Sequence, residues 1–427
     1  MKFTSKITVA AIIDLNLIIL GLALEMYIIS VISFLVAVVG LFVGIRLGKY
    51  RRNNLYIVKE PQDLLERTDG GRITTEQDWF ERREKLKEVV LDLEYGHIPP
   101  HPEKITITEL DAEEHDGLGV TYHLIFSVVP DKSEPKALIH YSVWCSIPKG
   151  DGPFPAVVKV SPDGEGTQTP IAEYMMERGY VFACYNHKQL DPDTHGSAPK
   201  GIVQRAYPKY DGGSLAIWAW GAMRVVDFLV REPWIVNKSV VPPVSSDKII
   251  VCGHSRRGKT ALLAGAIDER FAIVAPNCSG CGGAGSLLVL GPGAQDIGSI
   301  ASKHRHGSWF GPNFAYFMNN EKELPFDQHA LRALVAPRMI LSNDAFGDLW
   351  ANPIGVQVMY EKAQPVFDLL RVPKHNAIHF REGGHAFGIP DFKVILDFAD
   401  MMLLKKEVGG DFYMEPFDDP FHENNAI

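Results

Sequence analysis

The sequence has no basic surplus. Its 43 lysines and arginines stand against 52 aspartates and glutamates, a formal charge of −9, so it lacks the cationic footprint with which proteins grip nucleic acid. No nucleic-acid partner is expected. Cysteine is scarce: there are five, an odd number, and Cys145, Cys184 and Cys252 lie within or at the end of apolar runs, where free cysteine behaves as a small hydrophobe. That argues against a disulfide framework and for a reducing compartment. Cys278 and Cys281 form a C-x-x-C, but no second pair and no histidine spacing accompanies them, so no metal or redox site is expected. No internal repeat is visible. With 46% hydrophobic and 22% charged residues, the composition is that of an ordinary globular protein.

Long apolar runs occur only at the N-terminus. Residues 27–45 carry no charge and are about long enough to cross the hydrocarbon core as a helix. Residues 7–24 are also apolar but include Asp14 and Asn16. One or two transmembrane helices are therefore expected within a membrane anchor at 1–52, with two favoured. No small-residue cleavage site follows them. Arg46, Lys49, Arg51 and Arg52 follow the second run, and only Lys2 and Lys6 precede the first. By the positive-inside rule the domain beyond them is expected in the cytoplasm. Residues 53–75, polar and carrying TDGGR, read as a linker.

Past the linker, EQDWFERREKLKEVVLDLEYG (76–96) has helical spacing and stops before Pro99 and Pro100. Segments 105–110, 120–129 and 137–148 read as antiparallel strands joined by short turns. From 155 the rhythm changes. Short apolar runs at 155–161, 180–186, 248–252, 271–277, 338–344 and 376–382 alternate with helical segments near 171–177, 214–231, 326–334, 354–370 and 391–405. This pattern predicts an α/β fold with a mostly parallel sheet covered by helices on both faces, over a catalytic domain at 76–410 with a tail at 411–427.

The chain's organising stretch is KIIVCGHSRRGKTALLAGA (248–266). An apolar strand runs into a helix through one sharp turn with Ser255 at the corner, the setting of a nucleophile elbow. A bare Gly-x-Ser is also ordinary loop and cap chemistry. The usual G-x-S-x-G is altered here, since the second glycine arrives one residue late at Gly258 and Arg257 takes its place.

A serine nucleophile needs a base and an acid to orient that base, and in α/β-hydrolases they follow in the order Ser, Asp or Glu, His. His385, in the glycine-rich FREGGHAFG after the last strand, is the candidate base. For the acid, the loop after RMILSND offers Asp348, favoured because it precedes a helix begun near Pro353, and Asp344 as the alternative. Arg256 and Lys259 place two cations beside the position of the substrate acyl group.

These residues resemble the glucuronoyl esterase family of carbohydrate esterases. The family's elbow, G-C-S-R-x-G-K, is similar to GHSRRGK at 253–259, late glycine included. Similar stretches are DERFAIVAPNCSGCGG (268–283), SWFGPNF (308–314), LPFDQHALRALVAPR (324–338), GDLWANP (347–353) and GGHAFG (383–388). The resemblance implies an α/β-hydrolase fold with Ser255 as nucleophile, His385 as base, and Arg256 as an oxyanion and substrate contact. Lys259, Trp350 and Trp309 become substrate-side residues, and Asp296 a further candidate in the less similar 284–307. Many members carry the acid as a glutamate where this chain has Cys278. A thiol cannot orient the histidine in its place, which points to the later strand and Asp348.

The expected activity is hydrolysis of a sugar-acid or related carboxylic ester through an acyl-enzyme, with no metal or cofactor. An acetyl or acyl esterase acting on lipid or thioester at the membrane is the alternative enzyme. A membrane-tethered binding protein without catalysis is the alternative from another class.

Overall fold

The computed structural model describes residues 54–67, 69–130, 138–162, 169–194, 200–230, 235–237, 243–302, 304 and 306–421, together with 22, 24, 26–36 and 38. The chain divides into two units, Met1–Asn54 and Leu55–Ile427. In the first, residues 26–36 are helical with exposed side chains. Most of the run at 7–24 and the end of that at 27–45 lie outside the described residues, and among those described no helix is long and apolar enough to cross a membrane.

The second unit is built on a ten-stranded sheet. Its strands, with a short outlying pair, are β1 (Tyr56–Ile57), β2 (Lys104–His115), β3 (Gly119–Val129), β4 (Ile139–Pro148), β5 (Phe154–Ser161), β6 (Val181–Asn186), β7 (Ile235–Asn237), β8 (Val244–His254), β9 (Phe271–Asn277), β10 (Val289–Leu290), β11 (Met339–Ala345) and β12 (Asn376–Arg381). The sheet order is β12-β11-β9-β8-β5-β6-β4-β3-β2-β7, while β1 pairs separately with β10. From β12 to β6 all neighbours run parallel. The meander β2-β3-β4 joins at β6 antiparallel, as its short links require.

The helices are α1 (Glu76–Val90), α2 (Thr169–Glu177), α3 (Ile202–Ala206), α4 (Ser214–Leu229), α5 (Arg256–Ile267), α6 (Ile297–Ala301), α7 (Gln328–Ala333), α8 (Pro353–Leu369) and α9 (Ile389–Leu403). Strand side chains alternate between faces, so each parallel strand serves two cores. Ile249 and Val251 of β8 pack with Leu215, Leu262 and Val356 of α4, α5 and α8. Ile250 and Cys252 pack on the other face with Ile171 and Met175 of α2 and Phe392 and Ile395 of α9. Continuous apolar runs read correctly as strands because both of their faces are buried.

Two stretches flanking the alternating strands and helices also pack against them. Within the stretch read as a linker, Leu64, Leu65 and Ile73 are buried, and Asp69 and Gly70 lie in a turn beside the Glu66–Arg72 bridge. Of the tail, the described residues 411–421 include Phe412, which is buried, Tyr413, bridged to Ile378, and Phe417, edge-on to Phe380 at 5.4 Å. Both segments look polar because their few apolar residues are spaced too irregularly to form a helical or strand pattern.

Candidate active site

The ends of the parallel strands carry the chemistry-bearing residues, as expected for an open α/β sheet. Ser255 follows β8, Cys278 follows β9, Asp348 follows β11 and His385 follows β12.

Ser255 sits at φ 59°, ψ −127°, left-handed φ that a serine rarely adopts. Its N–H donates to Asn277 O and its carbonyl accepts from Lys259 N–H, the first tie into α5. The two glycines make this turn possible. A Cβ on Gly253 would lie 2.3 Å from Arg257 O, and one on Gly258 would lie 2.9 Å from Asn277 O and from Ser279 Cβ. The late glycine is thus where α5 crosses the end of β9. Arg257, in the usual glycine position, extends its side chain away toward Asp193 and His187.

His385 Nδ1 lies 2.6 Å from Asp348 Oδ2. Burial pushes the Asp348 carboxyl up, but hydrogen bonds from His385 and from the Cys278 thiol outweigh it and hold the group below the usual carboxylate range. An ionised Asp348 only accepts, so Nδ1–H donates, and in the neutral imidazole with this tautomer the lone pair is on Nε2. Burial and the nearby carboxylates of Asp344 and Asp348 push the Cys278 thiol strongly up. It remains a neutral donor to Asp348. Asp344 is differently placed: both its carboxylate oxygens are buried without a hydrogen bond, and burial, with Asp348 nearby, pushes it up to about 8.

The loop carrying His385 is held from below. Arg381 donates to the carbonyls of Glu382, Gly384 and Ala386 and through Nε to Asp391 at 2.7 Å. Gly347 N–H donates to Gly383 O at 2.9 Å, which ties the Asp348 loop to the His385 loop. Against the His385 ring lies His254, centroids 4.3 Å apart. Asn277 gives its amide N–H groups to Asn343 O and Asp391, so its oxygen accepts from His254 Nδ1 at 2.6 Å. Burial lowers His254 to about 4, so it is neutral near pH 7.

Ser255, Asp348 and His385 line one cavity of about 320 Å³ with Arg256, Lys259, Trp309 and Trp350. Gln295 and His306 complete its wall. Asp296 is not on it: its side chain caps α6 in a reciprocal box with Ser299, and the neighbouring Gln295 reaches the cavity instead.

The expected pair of free cations is altered. Lys259 is 2% exposed and donates to Ser279 O and Cys281 O, both at 2.5 Å, while burial lowers it to about 8. One of its three N–H groups remains for the cavity. Arg256 pairs with Asp193 at 2.7 Å.

Sequence reasoning missed Asp193, His254, Gln295, His306 and Arg381. The histidine within GHS was the one legible signal, as a departure from the cysteine of the similar elbow. Asp193, Gln295 and His306 reach the site from loops whose spacing carries no pattern, and Arg381, at the end of β12, carries no motif of its own.

Comparison with known proteins places this chain among esterases. The family model described as glucuronyl esterase, fungi, matches residues 132–371. Carbohydrate esterase MZ0003, from an unknown prokaryotic organism, is 34% identical over 53% of this chain and 55% of its own length. A 4-O-methyl-glucuronoyl methylesterase of Podospora anserina is 30% identical over 67% of the chain. The chain thus spans little more than half the length of these two relatives, whereas the match to methylesterase 1 of Wolfiporia cocos, 28% identical, covers 81% of both. Among solved structures, a carbohydrate esterase family 15 glucuronoyl esterase from Caldicellulosiruptor kristjansonii superposes with a TM-score of 0.70 at 28% identity, covering 86% of this chain and 96% of that one.

Proposed function

The chain belongs to the glucuronoyl esterase family of carboxylic ester hydrolases, and from that premise we propose that it cleaves the ester of a sugar acid through an acyl-enzyme on Ser255. The observation that carries this reading is the shared cavity of Ser255, His385 and Asp348, with Nδ1 of the histidine committed to the carboxylate.

In the first step His385 Nε2 takes the Ser255 hydroxyl proton while Oγ attacks the ester carbonyl carbon. The carbonyl oxygen becomes an oxyanion, facing the backbone N–H of Arg256 at the start of α5 and the Arg256 guanidinium. The C–O bond to the alcohol breaks, and the alcohol leaves with the proton from His385. Water then gives its proton to His385 and attacks the acyl carbon, and release of the acid returns the proton to Ser255. Asp348 stays ionised throughout and stabilises the imidazolium. No metal or cofactor takes part in these steps.

The cavity suits an acyl group bearing oxygens. Lys259, Arg256 and Gln295 present polar groups, and the half-exposed Trp350 offers an apolar face to a sugar ring. Incubating the protein with methyl glucuronate, acetylated sugars and p-nitrophenyl acyl esters tests the reading. Turnover is expected with kcat/KM highest on methyl glucuronate. Preference for the acetyl or acyl esters would move the assignment to a general esterase. No turnover, with no labelling of Ser255 by a fluorophosphonate, would leave a binding protein.

We further propose that residues 1–52 anchor this domain to a membrane with the site on the cytoplasmic side, on the strength of the uncharged run at 27–45 and the basic flank Arg46–Arg52. Reporter fusions after residue 54 should give green fluorescence and no alkaline phosphatase activity; the opposite pattern would place the site outside.

A further inference from the structure

We propose that Asp193 is a positioning residue for the reaction at Ser255, acting through Arg256; this rests on the serine-esterase reading above. Asp193 lies in the segment that leaves β6, and its side chain is 5% exposed. Its Oδ2 accepts from Arg256 Nε at 2.7 Å and from Arg257 at 3.4 Å. A buried carboxylate is costly unless paired, and here the pairing cations are the two residues that follow the nucleophile.

The consequence lies in which donors remain. A guanidinium is a rigid planar fork. In Arg256 the Nε–H is committed to Asp193 and the guanidinium carbon lies over the Trp309 ring, 5.4 Å from its centroid. Two independent partners, Asp193 at Nε and the Trp309 ring, hold the guanidinium beside the cavity that Arg256 lines. Without Asp193, a side chain as long and rotamer-rich as arginine would sample many orientations on that wall.

Asp193 is itself held. Arg257 Nε donates to His187 Nε2 at 3.0 Å, and the buried His187 packs on Trp218 with ring centroids 4.1 Å apart. Burial, with Arg257, Arg256 and Lys188 nearby, holds His187 well below its ordinary range, so its Nε2 is an acceptor at neutral pH. The chain His187–Arg257–Asp193–Arg256 therefore runs from the core face of α4 to the cavity wall.

The test is a double-mutant cycle on the full chain with p-nitrophenyl acetate and methyl glucuronate, comparing Asp193→Asn, Arg256→Ala and the pair. Asp193→Asn is expected to lower kcat by roughly 10- to 100-fold, the loss that follows a misplacement of about 1 Å, with KM changed by less than about 3-fold. Because Asp193 acts through Arg256, adding Asp193→Asn to Arg256→Ala should cost no more than about 2-fold further. A single-variant kcat within about 2-fold of the parent, or two losses that simply multiply, overturns the proposal. Thermal melts accompany the kinetics, and Asp193→Ser, which leaves room for water beside Arg256, takes the place of Asp193→Asn in the same cycle if the latter unfolds. Failure of the unaltered protein to turn over either ester or to label at Ser255 would instead sink the esterase reading, and this proposal with it.

Discussion

Alanine at position 255 is expected to lower kcat by on the order of 10⁶-fold while leaving the fold and the cavity in place, the scale on which a serine hydrolase loses its nucleophile. The strained turn at Ser255 is set by backbone, by Gly253 and Gly258 and by the bond to Asn277 O, none of which needs the hydroxyl. Arg256, Lys259 and the tryptophans still line the cavity. Substrate binding should therefore survive, and the loss should fall on kcat. Steady-state kinetics with calorimetric titration of the ester would separate the two. Activity of the variant within 10-fold of the parent would mean that the acyl group is not carried on Ser255.

Replacing Asp348 by asparagine should cost about 10⁴-fold in kcat, the penalty for presenting the base in the wrong tautomer. An amide N–H facing His385 Nδ1 would favour the lone pair there and leave the proton on Nε2, which then cannot accept from Ser255. Asp344→Asn is the matched control. That carboxyl is pushed up to about 8 by burial and the charge of Asp348 and is neutral at pH 7, so a neutral amide of the same shape should leave kcat within about 3-fold, as for a substitution outside the reacting groups. The measurement is kcat at pH 7 for both variants. A reversed order of the two losses would move the acid to Asp344, and equal small losses would show that His385 is oriented by something else.

Much of this was legible because the sheet is buried on both faces. Runs such as IIVC and FAIVA are apolar without interruption, and the helices between them keep a clear period, so α4, α8 and α9 fall within a few residues of expectation. The elbow was legible for a related reason: only a tight turn needs a glycine two residues before the serine. Chain order narrows the candidate acid to Asp344 and Asp348; in the fold Asp348 lies against His385, whereas Asp344 is buried within β11. Other features had no one-dimensional trace. That Cys278 donates to Asp348, that Arg381 gathers the carbonyls around His385, and that Asp193 stands behind Arg256 all depend on loops crossing between strand ends. The packing of the polar stretch before α1 had no sequence trace, because its few buried residues, Pro61, Leu64, Leu65 and Ile73, follow no helical or strand spacing.

That docked stretch also sets a path for force. β1 pairs with β10, Val58 N–H donates to Leu288 O, Lys59 Nζ donates to Leu324 O at 2.6 Å, and Gln62 O lies 2.8 Å from His329 Nε2. All four contacts reach the excursion between β9 and β11, which also contributes Gln295, His306 and Trp309 to the cavity wall. Tension drawn through residue 55 would therefore load this excursion, and with it the cavity wall formed by Gln295, His306 and Trp309.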